Sequence, residues 1–150
     1  MRAVIQRVKD AWITVNGGEK QEMGPGLVVL FGVREGDVPE DTLAVANKIS
    51  QLRIFEDSDG KMNVGPLELG MDCMVVSQFT LFASTKKGNR PSYIRSAGEA
   101  VARPMYEKFL ATLSEELGSE VEHGEFGADM KVSLVNDGPG TICIDSKNRE

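Results

Sequence analysis

Asn136-Asp137-Gly138-Pro139-Gly140-Thr141 stands between two apolar runs, Met130 to Val135 and Ile142 to Ile144. Both runs are rich in β-branched residues and short enough to be strands. Asn and Asp bond their own backbone and Gly accepts positive φ, so the stretch reads as a tight connection between two strands. The proline exceeds that need. An X-Pro bond is the kind that readily adopts cis, at a cost of about 0.5–1 kcal/mol. A cis Gly138–Pro139 bond would aim two successive carbonyl oxygens the same way, with no side chain on Gly138 to obstruct them. The stretch is therefore both a connection and a candidate acceptor for an ammonium group.

Working outward, most of the opening third reads as sheet. Arg2 to Val8 and Ala11 to Val15 are expected as two strands, followed by the turn signal Asn16-Gly17-Gly18. Glu19 to Met23 reads as a polar edge strand closed by Gly24-Pro25-Gly26. Leu27 to Val33 is continuously apolar, the pattern of a strand buried on both faces. Over Asp37 to Leu52 the period changes. Leu43, Ala46, Ile49 and Leu52 fall three apart, with Asp37 as cap and Pro39 in the first turn, which predicts a helix. Strand returns at Arg53 to Phe55, Lys61 to Gly70 is irregular, and Asp72 to Phe79 is a second buried-strand pattern. Residues 84–95 are polar and read as a loop. Ser96 and Glu99 have capping-box spacing, and Val101, Met105, Phe109, Leu113 and Leu117 predict a helix ended by Gly118 and disturbed by Pro104. Glu120 to Phe126, Met130 to Val135 and Thr141 to Ile144 are the closing strands.

The 150 residues suit one domain, and 41% apolar with 27% charged content is that of a globular chain. The longest apolar run is too short to cross a bilayer. Met1-Arg2 leads directly into a strand pattern, so no signal peptide is expected. Cys73 and Cys143 read as small core residues in a reducing compartment. A net charge of −6 argues against a general nucleic-acid coat.

The composition offers few reactive groups. His123, the only histidine, lies in the charged run Glu120 to Glu125 and reads as a solvent-facing strand residue, which leaves a serine–histidine triad poorly supported. No His and Cys share metal-ligand spacing, so no metal and no cofactor are expected, and Gly24-Pro25-Gly26 fits neither Gly-rich phosphate loop. Ser77, Gln78 and Thr80 end a hydrophobic strand. Strand ends are where α/β proteins place ligands, and backbone N–H groups beyond the last ladder bond can face a developing oxyanion. From Cys73 to Gly98 there is no Asp or Glu, yet Lys86, Lys87, Arg90 and Arg95 fall there. That excess suits phosphates, or simply a solvated loop.

Together, S-Q-F-T-L at 77–81, R-P-S-Y at 90–93 and N-D-G-P-G-T at 136–141 resemble the D-aminoacyl-tRNA deacylase family, with V-I-Q-R-V at 4–8 and G-K-M-N at 60–63 extending the likeness over nearly the whole chain. Gly140 departs from the family's usual valine. The resemblance implies a single domain over 1–150 of mixed α/β class, with mostly antiparallel sheets in a barrel-like, layered α/β/β arrangement and two main helices. It implies a cytoplasmic, membrane-free homodimer in which each subunit inserts a Gly138–cis-Pro139 motif into its partner's site. Ser77, Gln78, Phe79 and Thr80 match the motif lining the pocket for the 3′-terminal aminoacyl-adenosine of tRNA. Ala102 resembles the position touching that adenosine, and Lys86, Lys87, Arg90 and Arg95 would meet the tRNA. The implied reaction is hydrolysis of D-aminoacyl-tRNA, and of glycyl-tRNA that escapes chiral rejection. The alternatives are an RNA- or DNA-binding module without this activity, and the related editing of L-alanyl-tRNA.

Overall fold

The computed structural model describes residues 1–149, apart from the side chain of Pro139. The fold is mixed α/β with a barrel-like sheet. Its frame is one long strand, β1 (Arg2–Val15), where the sequence pattern predicts two. After β1 the chain turns through Asn16 (φ 50°) and Gly17 (φ 71°), the paired positive φ values of a tight hairpin. It then returns as β2 (Lys20–Met23) and β3 (Gly26–Gly32). Ala11 faces Met23 and Val8 faces Gly26, so β2 and β3 continue one antiparallel register along β1, interrupted only opposite Lys9 and Asp10.

Helix α1 (Pro39–Ser50) starts one residue later than predicted, with Val38 and not Asp37 at the N-cap. Asp41 caps it by accepting from the Val38 N–H at 2.9 Å. Asp37 instead accepts from the Arg34 N–H and lies 2.7 Å from the Met1 ammonium, with both groups buried. The apolar face is Val45, Ala46 and Ile49, while Leu43 is exposed. The strand expected over Arg53 to Phe55 forms only as β4 (Phe55–Glu56), which pairs in a small hairpin with β5 (Met62–Val64); β5 and the single-turn α2 (Pro66–Leu69) occupy the stretch read as irregular. Strand β6 (Asp72–Ser77) runs parallel to β3, and the chain leaves it in a 3-10 turn over Phe79–Phe82.

Helix α3 (Glu99–Leu117) has Gly98 at its N-cap, so Ser96 and Glu99 form no capping box. Its buried face is Ala102, Tyr106, Phe109, Leu113 and Leu117, one residue out of phase at its start with the predicted Val101 and Met105. Of the strand expected over 120–126, only β7 (Glu122–His123) forms, parallel to β6. The last strand, β8 (Met130–Asp145), lies antiparallel along all of β1.

That pairing corrects the reading of residues 136–141. Val15 faces Met130, Val8 faces Asn136, Gln6 faces Thr141 and Arg2 faces Asp145. The chain runs the same way before and after the stretch, so no reversal occurs. Residues 137–140 bulge from a single strand, with Arg7 alone opposite them.

Alternation along β3 and β6 explains their unbroken apolar runs. Leu27, Val29, Phe31, Cys73 and Val75 pack beneath α1 and α3, where Phe31 stacks on Phe109 with ring centroids 4.0 Å apart. Val28, Met74 and Val76 point the other way, into a second cluster closed by Val8, Ala11, Ile13 and Met23. Each fully buried side chain of this kind contributes about 1.5–3 kcal/mol. Cys73 joins the first cluster, but Cys143 is exposed on β8, contrary to its reading as a core residue.

Candidate active site

Where β6 ends, the strand, its 3-10 turn and α3 enclose a cavity of about 300 Å³. Ser77, Gln78 and Phe79 line it from one side, Ala102 and Tyr106 from the helix, and Phe126 closes a third wall. The sequence places four residues in a row here, and the fold brings Ala102 to three of them across 23 positions. Thr80 does not line the cavity; its hydroxyl takes a hydrogen bond from the Gln78 amide.

The local backbone follows from β6 running out. Gln78 N–H still donates to Phe31 O at 2.7 Å, the last ladder bond. Leu81 N–H donates to Gln78 O and Ala83 N–H to Thr80 O, which closes the 3-10 turn. The first two amides of that turn, those of Phe79 and Thr80, have no acceptor among the described residues. Gly32 sets this geometry from below. A Cβ there would approach Gln78 O to 2.8 Å, so only glycine lets β3 pass this close to the turn.

Phe79 is 57% exposed at the rim. The Tyr93 ring meets it edge-on at 5.1 Å, and Ser96 Oγ donates to its carbonyl at 2.8 Å. Tyr93 and Ser96 belong to the connection that carries Lys86, Lys87, Arg90 and Arg95. All four cations are exposed, and none forms an ion pair among the described residues. The basic loop is thus tied to the cavity mouth.

Tyr106 escaped the sequence reading. Its hydroxyl donates to Val75 O at 3.1 Å, and burial pushes its pKa well above the ordinary tyrosine value. It is a neutral structural wall. His123 is exposed, as its charged run indicates, and no groups among the described residues could hold a metal ion.

Gly138 is not in this cavity. In the sheet order β8-β1-β3-β6 its bulge lies three strand spacings from Ser77, each about 4.8 Å. Arg7 holds the base of the bulge, donating from Nε to Asp137 O at 2.8 Å and from Nη1 to Ile54 O at 2.6 Å. A Cβ on Gly138 would collide with Gly140 N, so the bulge demands glycine there. Expectations resting on the Pro139 ring lie outside the described residues. Gly140 abuts Arg7, whose Cβ would stand 3.2 Å from a Cβ added at 140. Arg7, hidden in V-I-Q-R-V, became legible only once its strand was paired with β8.

Residues 4–145 match the family model described as D-Tyr-tRNA(Tyr) deacylase. Proteins named D-aminoacyl-tRNA deacylase from Bacteroides thetaiotaomicron and Akkermansia muciniphila are each 53% identical over 150 residues, covering 100% of both chains. Among solved structures, one named c-Myc DNA Unwinding Element Binding Protein superposes with TM-score 0.90 at 36% identity, over 97% of this chain and 98% of that one. A structure described as a probable eukaryotic D-amino acid tRNA deacylase shares the fold, with TM-score 0.82 at 18% identity over 95% and 97% of the two chains.

Proposed function

This chain belongs to the D-Tyr-tRNA(Tyr) deacylase family, and from that membership we propose that it hydrolyses D-aminoacyl-tRNA in the cytoplasm and that the β6 cavity is where it does so. The observation that carries the site is a pair of consecutive unpartnered amides, that of Phe79, which lines the cavity, and that of Thr80, the next residue in the turn. The ester carbonyl of the terminal aminoacyl-adenosine sits with its oxygen against them. Ala102, small and buried, leaves room for the adenosine. Water attacks the carbonyl carbon and negative charge gathers on the oxygen. The tetrahedral intermediate then collapses, expelling the ribose oxygen, which takes up the proton lost by the water. Positioning and oxyanion stabilisation supply the rate, and losing one such donor typically costs about 100-fold or more. No histidine is bonded to the Thr80 hydroxyl to activate it: its partner is the Gln78 amide, and His123 pairs with Gly124 O. The neighbouring ribose hydroxyl of the substrate therefore assists the attack.

Chiral selection comes from a second copy of the chain. The Gly138 and Pro139 carbonyls, on a cis bond, hold the substrate's α-ammonium. Within one chain their bulge is far from the cavity, which supports a reading in which the bulge of a partner enters it. With ammonium and ester carbonyl both fixed, the α-hydrogen of a D-residue faces the wall and its side chain faces out. An L-residue reverses the two and clashes, so discrimination is by exclusion. Glycine, with no side chain to clash, is cleaved as well.

The test is incubation of purified protein with D-tyrosyl-tRNA, L-tyrosyl-tRNA, and D-tyrosyl-tRNA ending in a 2′-deoxyribose bearing the same 3′-ester. Only the first should be cleaved. Equal cleavage of the L-form removes the chiral reading, and full activity on the deoxy substrate removes the assisted attack. A second reading is favoured by the unpaired cations of the 86–95 loop and by the DNA-binding name of the 36%-identical structure: a nucleic-acid-binding module. Tight duplex binding with no deacylation would establish it instead.

A further inference from the structure

A second cavity, of about 400 Å³, adjoins the first and shares Tyr106 and Phe126 with it. Its remaining walls carry Gln21, Arg103, Glu107, His123 and Glu125, none of which the reaction above uses. We propose that this cavity seats the nucleobase on the 5′ side of the terminal adenosine, and that its polar groups are arranged for cytosine. The proposal rests on the deacylase reading of the first cavity.

Its chemistry excludes a phosphate site. Two carboxylates face the space, and the one guanidinium is already engaged. Arg103 donates to Glu99 Oε1 from Nε at 3.1 Å and from Nη2 at 2.5 Å. What Arg103 offers is a plane. It lies over the Phe126 ring, 4.9 Å from its centroid, leaving its other face for a flat, uncharged partner. Unpaired RNA bases are read in this way, stacked on aromatic rings or guanidinium planes with their edges hydrogen-bonded.

The available edge groups are mostly acceptors. His123 Nδ1 lies 2.7 Å from Gly124 O. A carbonyl can only accept, so Nδ1 carries a proton, and the tautomer with its hydrogen on Nδ1 alone leaves Nε2 as an acceptor. Glu107 and Glu125 add carboxylate oxygens, and the Gln21 amide supplies a donor. Cytosine presents an exocyclic amine beside two acceptors, and carboxylates accept from that amine. Uracil offers a carbonyl at the same position and meets like-signed oxygens. Because tRNA ends in C-C-A, the base beside the terminal adenosine is always cytosine. Reading it would distinguish a tRNA end from other aminoacyl esters of adenosine.

The experiment compares kcat/KM for D-tyrosyl esters of adenosine, of the dinucleotide CpA and of UpA. CpA should exceed adenosine by about tenfold, within the range expected for one stacked and bonded base, and UpA should fall close to adenosine. The exposed pair Gln21→Ala with Glu107→Ala should remove the CpA advantage and leave the adenosine ester unchanged. The cytosine site is overturned if CpA is no better than adenosine, if UpA equals CpA, or if the double variant slows both esters alike. The substrate comparison uses the unaltered protein, so it stands however the variant folds. Cleavage of none of the three esters removes the deacylase reading itself, and the subsite with it.

Discussion

Single residues here act mostly through what burial does to them. Burial pushes the Cys73 thiol up to about 12 from its ordinary 9.0, with Asp72 beside it acting in the same direction. Burial likewise raises Tyr106. In both, folding favours the protonated form, so between the two values of each pKa the folded state holds a proton that the unfolded chain has released. Stability contributed this way is complete below the unfolded value and is lost as pH rises through the folded one. Thermal unfolding followed against pH should therefore show a midpoint that is level near neutrality and falls from about pH 9 upward. Cys73→Ala should make that fall shallower, at the expense of neutral-pH stability. An alkaline limb unchanged by the substitution would remove Cys73 from the account. The two residues also mark how far local reading reaches. Cys73 sits in an unbroken apolar run and is visibly a core residue. Tyr106 is not, because the four-residue spacing starting at Val101 passes through Met105, one position before it, and only packing on β6 selects between them.

At the scale of elements, the candidate oxyanion donors depend on the passage of β3 beneath the 3-10 turn. A Cβ at Gly32 would stand 2.8 Å from Gln78 O and 3.4 Å from both Leu81 Cβ and Phe82 Cε2. Gly32→Ala must push the turn outward. Overpacking of this kind costs about 1–3 kcal/mol, which a folded domain survives. Moving the Phe79 and Thr80 amides should cost more in rate than in stability, about 100-fold in kcat if one donor is lost. Steady-state kinetics beside an unfolding curve would separate the two, and an unchanged kcat with the expected loss of stability would relieve those amides of their role. Gly32 lies in the apolar run Leu27 to Val33, where nothing in the sequence distinguishes it from strand filler. The same limit explains residues 136–141. Asn, Asp, Gly and Pro declare an irregular backbone, and that much is correct. Whether the chain reverses or bulges depends on which strand lies alongside, and the partner, β1, is more than a hundred residues away. Strand existence was local information; strand pairing was not.

For the whole molecule, the open question is what occupies the free edge of β8. That strand pairs only with β1 among the described residues, and a strand edge of sixteen residues is a ready surface for another chain. Leu134 and Val135, consecutive and so on opposite faces, are 36% and 49% exposed. The 137–140 bulge follows them directly, so a second copy docking along this edge would carry its own bulge toward the first copy's surface. The proposed homodimer would cover apolar surface that a lone chain leaves to water, and would give a role to a bulge pinned by Arg7 yet remote from the cavity. Leu134→Lys combined with Val135→Lys should place like charges across the contact and yield monomers, read by sedimentation at micromolar concentration. Neither side chain belongs to the buried core of the single chain, so its own stability should change far less than its association. If the partner's carbonyls select the enantiomer, the monomer should lose preference for D-tyrosyl-tRNA over L-tyrosyl-tRNA and cleave the D-form more slowly, since nothing then fixes the ammonium. A monomer that still discriminates as well as the dimer would mean the selection is made inside one chain, by the walls of the β6 cavity.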